Sequence, residues 1–169
     1  MGSLQGLLPE PVPADVEERF QEVLQRKMSM AVQLYVEAVR TLEAEAGPAA
    51  VEALRERQRQ RSVRDAAERG RQGDNSLRAY CHSLEEGCRG SHEWLSTEDT
   101  ETRQGYRFSR CMWADVFRAL GAADIGAWIC ESDGPAAAAF NPEIRLHVSK
   151  TLMAGDDCCE ALFYTGDDK

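Results

Sequence analysis

From Asp15 onward, apolar residues recur at intervals of three and four with no proline or glycine until Gly47-Pro48. Val16, Phe20, Val23, Leu24, Ala31, Leu34, Tyr35, Ala38 and Leu42 fall on one helical stripe, so the chain must begin with a long core helix. Asp15 followed three residues later by Glu18 is an acidic variant of the capping-box pattern, able to satisfy free N–H groups at the helix start. Pro48 suits a first helical turn, where a missing N–H costs nothing, and strong helix formers run from Ala49 to Arg71 before Gly73-Asp74. A shorter helix is predicted over 77–86, stopped by Gly87 and Gly90. Residues 1–14, with three prolines and little periodicity, read as an extended lead-in.

The texture changes near His92. Residues 93–97 and 106–109 read as two strands joined across the polar run 98–105. A helix is predicted from Met112 to Leu120, with Trp113, Val116, Phe117 and Leu120 on one face, and a short helix from Asp124 to Cys130. Gly134-Pro135-Ala136 reads as a flexible turn. Residues 144–149 alternate apolar and polar, and 161–164 form a last apolar strand. The expectation is a single α+β domain over 15–169: a helical part, 15–90, packed on a small antiparallel sheet supplied by a second part, 91–169.

Charge and cysteine usage narrow the function classes. A net charge of minus 9 argues against a nucleic-acid backbone as partner, because binding one requires clustered positive charge. The arginines between Arg55 and Arg71 interleave with Glu52, Glu56, Asp65 and Glu68 at helical spacing, the pattern of an ion-paired, solvent-facing helix. No apolar run approaches the roughly 20 residues of a membrane span, and the N-terminus lacks a basic start, so no membrane partner or secretory leader is expected and a cytoplasmic location is. The six cysteines form no C-x-x-C pair, which argues against structural zinc; no metal or cofactor is expected. In a reducing compartment each is a buried apolar residue before it is a reactive group.

Five short elements then follow in order: Cys111 opening a helix that ends at Leu120-Gly121, Cys130-Glu131-Ser132-Asp133, Phe140-Asn141-Pro142, Thr151-Leu152-Met153-Ala154-Gly155-Asp156, and Cys159 before the last strand. Together they resemble the L-2-amino-thiazoline-4-carboxylate hydrolases over roughly residues 93–164. The final segment is also loosely similar to the vinyl-reductase-type small-molecule-binding domains. The sequence departs from the family at Glu160-Ala161 after the terminal cysteine and at the alanine run 136–139, which bears on substrate identity more than on fold.

The resemblance implies hydrolytic opening of a cyclic amidine: water adds to the ring carbon between nitrogen and sulfur, and the ring opens to a carbamoyl-cysteine. Such chemistry requires a base for water, an acid for the leaving atom, and donors for the substrate carboxylate. Asp133 is the first acid–base candidate, with Asp156 and Asp157 behind Gly155 as further ones, although Gly-Asp is also ordinary turn chemistry. Cys111, Cys130 and Cys159 are candidate nucleophiles if a neighbouring cation lowers a thiol pKa. Glu131 could pair with the amidine, Arg145 or Lys150 with the carboxylate, His147 could move a proton, and Asn141 belongs to the substrate-binding set. Each also fits a structural or surface role.

Three functions fit these residues. One is the thiazoline hydrolase; the second is a biosynthetic enzyme acting on another small ring containing nitrogen or sulfur, or on a thiol intermediate. The third is a non-catalytic small-molecule-binding module. In each the partner is a small molecule, and the N-terminal helices are candidates for self-association.

Overall fold

The computed structural model describes residues 10–166. Most of the expected lead-in, 1–9, lies outside the described residues. Three helices come first: α1 (Ala14–Ala46), α2 (Pro48–Gln72) and α3 (Leu77–Cys88). The second half supplies β1 (His92–Asp99), β2 (Arg103–Cys111), α4 (Met112–Ala119), α5 (Ala123–Glu131), α6 (Asp133–Phe140), β3 (Arg145–Lys150) and β4 (Cys159–Tyr164). The strands form one antiparallel sheet in the order β1-β2-β4-β3. This is the α+β class, with a helical N-terminal half and a sheet built by the C-terminal half.

Gly47, at φ 78°, breaks the chain between α1 and α2 in a conformation that glycine adopts without Cβ strain. Two local expectations are corrected here. Helix α1 is entered through Pro13 with no side-chain cap, so Asp15 lies inside the first turn and stabilises the helix start only through its charge. The inward stripe of α1 matches the expected one only in part: Tyr35 packs inward as expected, but the buried positions are Val32 and Val39, with Met28 and Val36 beside them. Val16, Val23 and Leu34 are exposed, Leu34 at 67%. The helix carries two apolar stripes, and packing against α2 and α4 selects the one that meets them.

The segment read as a flexible turn at Gly134-Pro135-Ala136 is instead the first turn of α6. Pro135 sits where the helix needs no N–H from it, so the ring does no damage. The alanine run gives α6 a slim face, and α2 meets it through Ala66 and Gly70. A Cβ on Gly70 would lie 2.1 Å from the Phe140 carbonyl oxygen, so the two helices approach almost to backbone contact.

Two apolar clusters result. One joins α2, α3 and α6 to the sheet through Ala66, Tyr80, Tyr106, Phe108, Phe140 and Phe163. The other joins α1, α4 and α5 through Val32, Val39, Phe117, Ile125 and Met153. Gly126 permits the second to close, because a Cβ there would meet Met153 Sδ at 2.6 Å and Phe117 Cγ at 2.8 Å. No helix among the described residues is long and apolar enough to cross a membrane.

Candidate active site

A cavity of about 350 Å³ lies where the two clusters meet. Its sheet wall follows from strand parity: Cys159, Ala161 and Phe163 of β4 face it, as do Leu146 and Val148 of β3 and Phe108 of β2. Helix residues close the other sides, among them Arg69, Tyr80, Cys88, Trp113, Cys130 and Asp133. The lining is mainly apolar with a few converging polar groups, the usual character of a small-molecule site.

The sheet register creates the most reactive pair. His92, the first residue of β1, stands directly opposite Cys111, the last residue of β2. Cys111 Sγ and His92 Nε2 are 3.2 Å apart, and His92 Nδ1 is 2.9 Å from Ser91 Oγ. Ser91 donates its hydroxyl to the Cys88 carbonyl at 3.3 Å, so it accepts from Nδ1–H and leaves the Nε2 lone pair facing the thiol. Phe108 packs edge-on to the imidazole at 5.8 Å and fixes its plane.

Burial governs the ionisation of this pair. It lowers the His92 pKa below the ordinary imidazole value and raises the Cys111 thiol to about 11. The Trp113 and Ala114 N–H groups, in the first turn of α4, oppose the rise by favouring the thiolate, although Cys111 makes no full capping hydrogen bond. Cys88 and Cys130 lack that help and rise to about 12. The resting pair is therefore a neutral thiol beside a neutral imidazole.

Asp133, the first residue of α6, lines the same cavity. Asp133 is an exposed residue, yet it stands in the cavity wall with protein packed around it on most sides, so the carboxyl is shielded in part although solvent reaches it. This desolvation pushes the carboxyl up to about 7, so both protonation states are available near neutrality. Cys159 Sγ accepts the Leu152 N–H at 3.2 Å and lies 3.8 Å from Thr151 Oγ1. Arg69 lies beside the opening, its Nη1 donating to Ser83 Oγ at 3.0 Å. Among the described residues, no group of three or more His, Cys, Asp or Glu side chains is arranged to hold a metal ion.

Comparison with known families gives a match over residues 21–163 to the L-2-amino-thiazoline-4-carboxylic acid hydrolases. The chain belongs to this family. No curated protein matches this family member. Among solved structures it is similar to the phenol-responsive sensory domain of the transcription activator PoxR, crystallised with phenol. The identity there is 16%, the TM-score is 0.45, and the match covers 76% of this chain and 71% of that one.

In this thiazoline-hydrolase family member, Asp133, Cys111, Cys130 and Cys159 share one cavity, and the other candidates lie elsewhere. His147 and Arg145 alternate with Leu146, so they occupy the outer face of the sheet. Arg145 donates to the Pro142 and Ile144 carbonyls. Glu131 is ion-paired with Arg55 on the outside of α5. Asn141 donates to the Asn75 carbonyl at 2.9 Å and accepts the Glu143 N–H, which locks the exit from α6. Asp156 accepts the Thr151 N–H at 2.8 Å and holds the turn that carries Thr151 to the cavity. Lys150 and Asp157 pair with each other at 3.0 Å. Arg110 turns away from Cys111 toward Glu93 and Asp115.

Two cavity residues escape the sequence reading. Arg69 is hidden among the ion-paired arginines of α2, and only the tertiary position of that helix turns it toward the cavity. His92 had a usable signal: the two predicted strands, extended outward together, bring it opposite the start of the Cys111 helix.

Proposed function

We propose that this protein hydrolyses a cyclic amidine carboxylate of the 2-amino-thiazoline-4-carboxylate type, giving a carbamoyl-cysteine. The observation that carries this reading is the joint placement of Asp133, the Cys111–His92 pair and Arg69 around one small apolar cavity. Arg69 offers a guanidinium fork to the substrate carboxylate. Asp133 in its ionised form draws a proton from the water that adds to the amidine carbon, then gives that proton up as the product forms. A pKa of about 7 suits both halves of that cycle. The apolar walls lower the polarity around these groups and so strengthen their interactions.

Incubating the purified protein with the L-thiazoline and following carbamoyl-cysteine by mass spectrometry tests the reading. Turnover by the parent and its loss in Asp133→Asn, with the fold retained, are expected. No turnover by the parent overturns the thiazoline assignment. Ala161 favours a second reading, in which the same reaction acts on a bulkier ring, because this small side chain stands on the cavity wall next to Cys159. A panel of ring-substituted cyclic amidines distinguishes the two by relative kcat/KM.

A further inference from the structure

We infer that Cys111 is a covalent nucleophile, activated by His92, and that hydrolysis proceeds through an isothiourea formed between the substrate ring carbon and Cys111 Sγ. This deepens the reading above and rests on it for the identity of the substrate.

The geometry supplies each requirement of nucleophilic catalysis. Sγ and Nε2 are 3.2 Å apart, a distance suited to passing the thiol proton, and both residues line the cavity. Ser91 fixes the imidazole tautomer, and Phe108 fixes its plane. The first-turn N–H groups of α4 favour negative charge on sulfur as it develops. Among the described residues no other cysteine sulfur hydrogen-bonds a histidine: Cys88 meets His92 only through its backbone, Cys159 accepts a backbone N–H, and Cys130 lies among groups that disfavour its thiolate.

The step balances without redox change. His92 Nε2 takes the thiol proton as Sγ adds to the amidine carbon, forming a C–S bond and moving the C=N electron pair onto nitrogen. That pair re-forms the C=N bond as the ring C–S bond breaks, and imidazolium protonates the departing ring sulfur. The substrate is then held on Cys111 as a neutral isothiourea. Water, deprotonated by Asp133, adds to the same carbon, and the tetrahedral species expels Cys111 thiolate to leave the urea of an N-carbamoyl-cysteine. The thiolate recovers a proton from Asp133 through His92, completing the cycle with one water consumed.

The test uses the intact protein and 2-chloroacetamidine, a small amidine that alkylates thiols, with the modified cysteine located by peptide mass mapping. Selective labelling of Cys111 is expected, slowed about 100-fold by His92→Asn, the loss of a general base. With the L-thiazoline, acid quenching during turnover is expected to leave the substrate-derived adduct on the Cys111 peptide, and Cys111→Ser to abolish turnover. Labelling spread evenly over the cysteines, or a His92→Asn rate equal to the parent's, overturns the inference. Full turnover in Cys111→Ser does so as well. If the parent turns over no thiazoline, the substrate assignment fails while the labelling pattern still decides the nucleophile, because that measurement needs neither turnover nor a folded Cys111 variant.

Discussion

Gly70→Ala tests whether the close approach of α2 and α6 positions the cavity. The new Cβ would lie 2.1 Å from the Phe140 carbonyl oxygen, which is backbone and cannot rotate aside. Restoring an ordinary contact of about 3.5 Å separates the helices by roughly 1.4 Å at that point. Overpacking costs about 1–3 kcal/mol in general, and a clash this deep against backbone falls in the upper part of that range, at about 2–3 kcal/mol. Alanine's better helix propensity returns about 1 kcal/mol, so a net loss of about 1–2 kcal/mol is expected. For a chain of this size that lowers Tm by about 2–8 °C. Thermal unfolding followed by circular dichroism measures it, with Gly87→Ala as the control: that helical glycine has open space around its Cβ position, and the change stabilises by about 0.5–1 kcal/mol. Arg69 precedes Gly70 and Asp133 opens α6, so the same displacement moves two cavity residues and lowers kcat/KM for the thiazoline. A Gly70→Ala protein as stable as its parent refutes the packing argument.

Asp133 makes stability fall as pH rises, since its folded pKa of about 7 lies above the ordinary carboxylate value of 3.8. The native state therefore holds the proton longer: the penalty is absent below about pH 4, grows through the window to about pH 7, and is complete above it. Melting Asp133→Asn and the parent side by side from pH 4 to 8 should show the variant gaining relative stability across that window, and a constant difference would contradict the shift. Arg69→Met should raise KM by about 10- to 100-fold with the fold intact, as expected for losing a charge-assisted carboxylate contact; an unchanged KM would remove Arg69 from the site. His147→Ala and Glu131→Gln, on outer surfaces, should leave kcat/KM near the parent value, and a large fall in steady-state assays would show that the cavity is not where turnover occurs. Gly126→Ala should destabilise by about 1–2 kcal/mol in urea unfolding, because Met153 can move aside but the Phe117 ring cannot follow without loss of packing.

The long helix α1, the break at Gly47-Pro48, the hairpin and the parity of β3 were legible because each depends on neighbours a few residues away. Periodicity of 3.6 or 2 and the conformational limits of glycine and proline act locally. The same locality explains the errors. Two apolar stripes on α1 are equally helical, and the choice between them belongs to α2 and α4. The Gly134-Pro135 pair has turn chemistry in isolation, but the close fit of α6 against Ala66 and Gly70 favours the helix.

For the site, sequence alone determined that certain acids and thiols stand in an ordered series within an α+β chain that belongs to a hydrolase-named family. Their residue types were visible; their directions were not. Tertiary structure decided that Leu146 faces the cavity while His147 faces away, that Arg69 leaves its ion-paired row, and that His92 meets Cys111 across 19 residues of chain. The physical reason is that a cavity is a failure of two packed clusters to close on each other. Its place depends on how helices and sheet are set against one another, which no local pattern encodes.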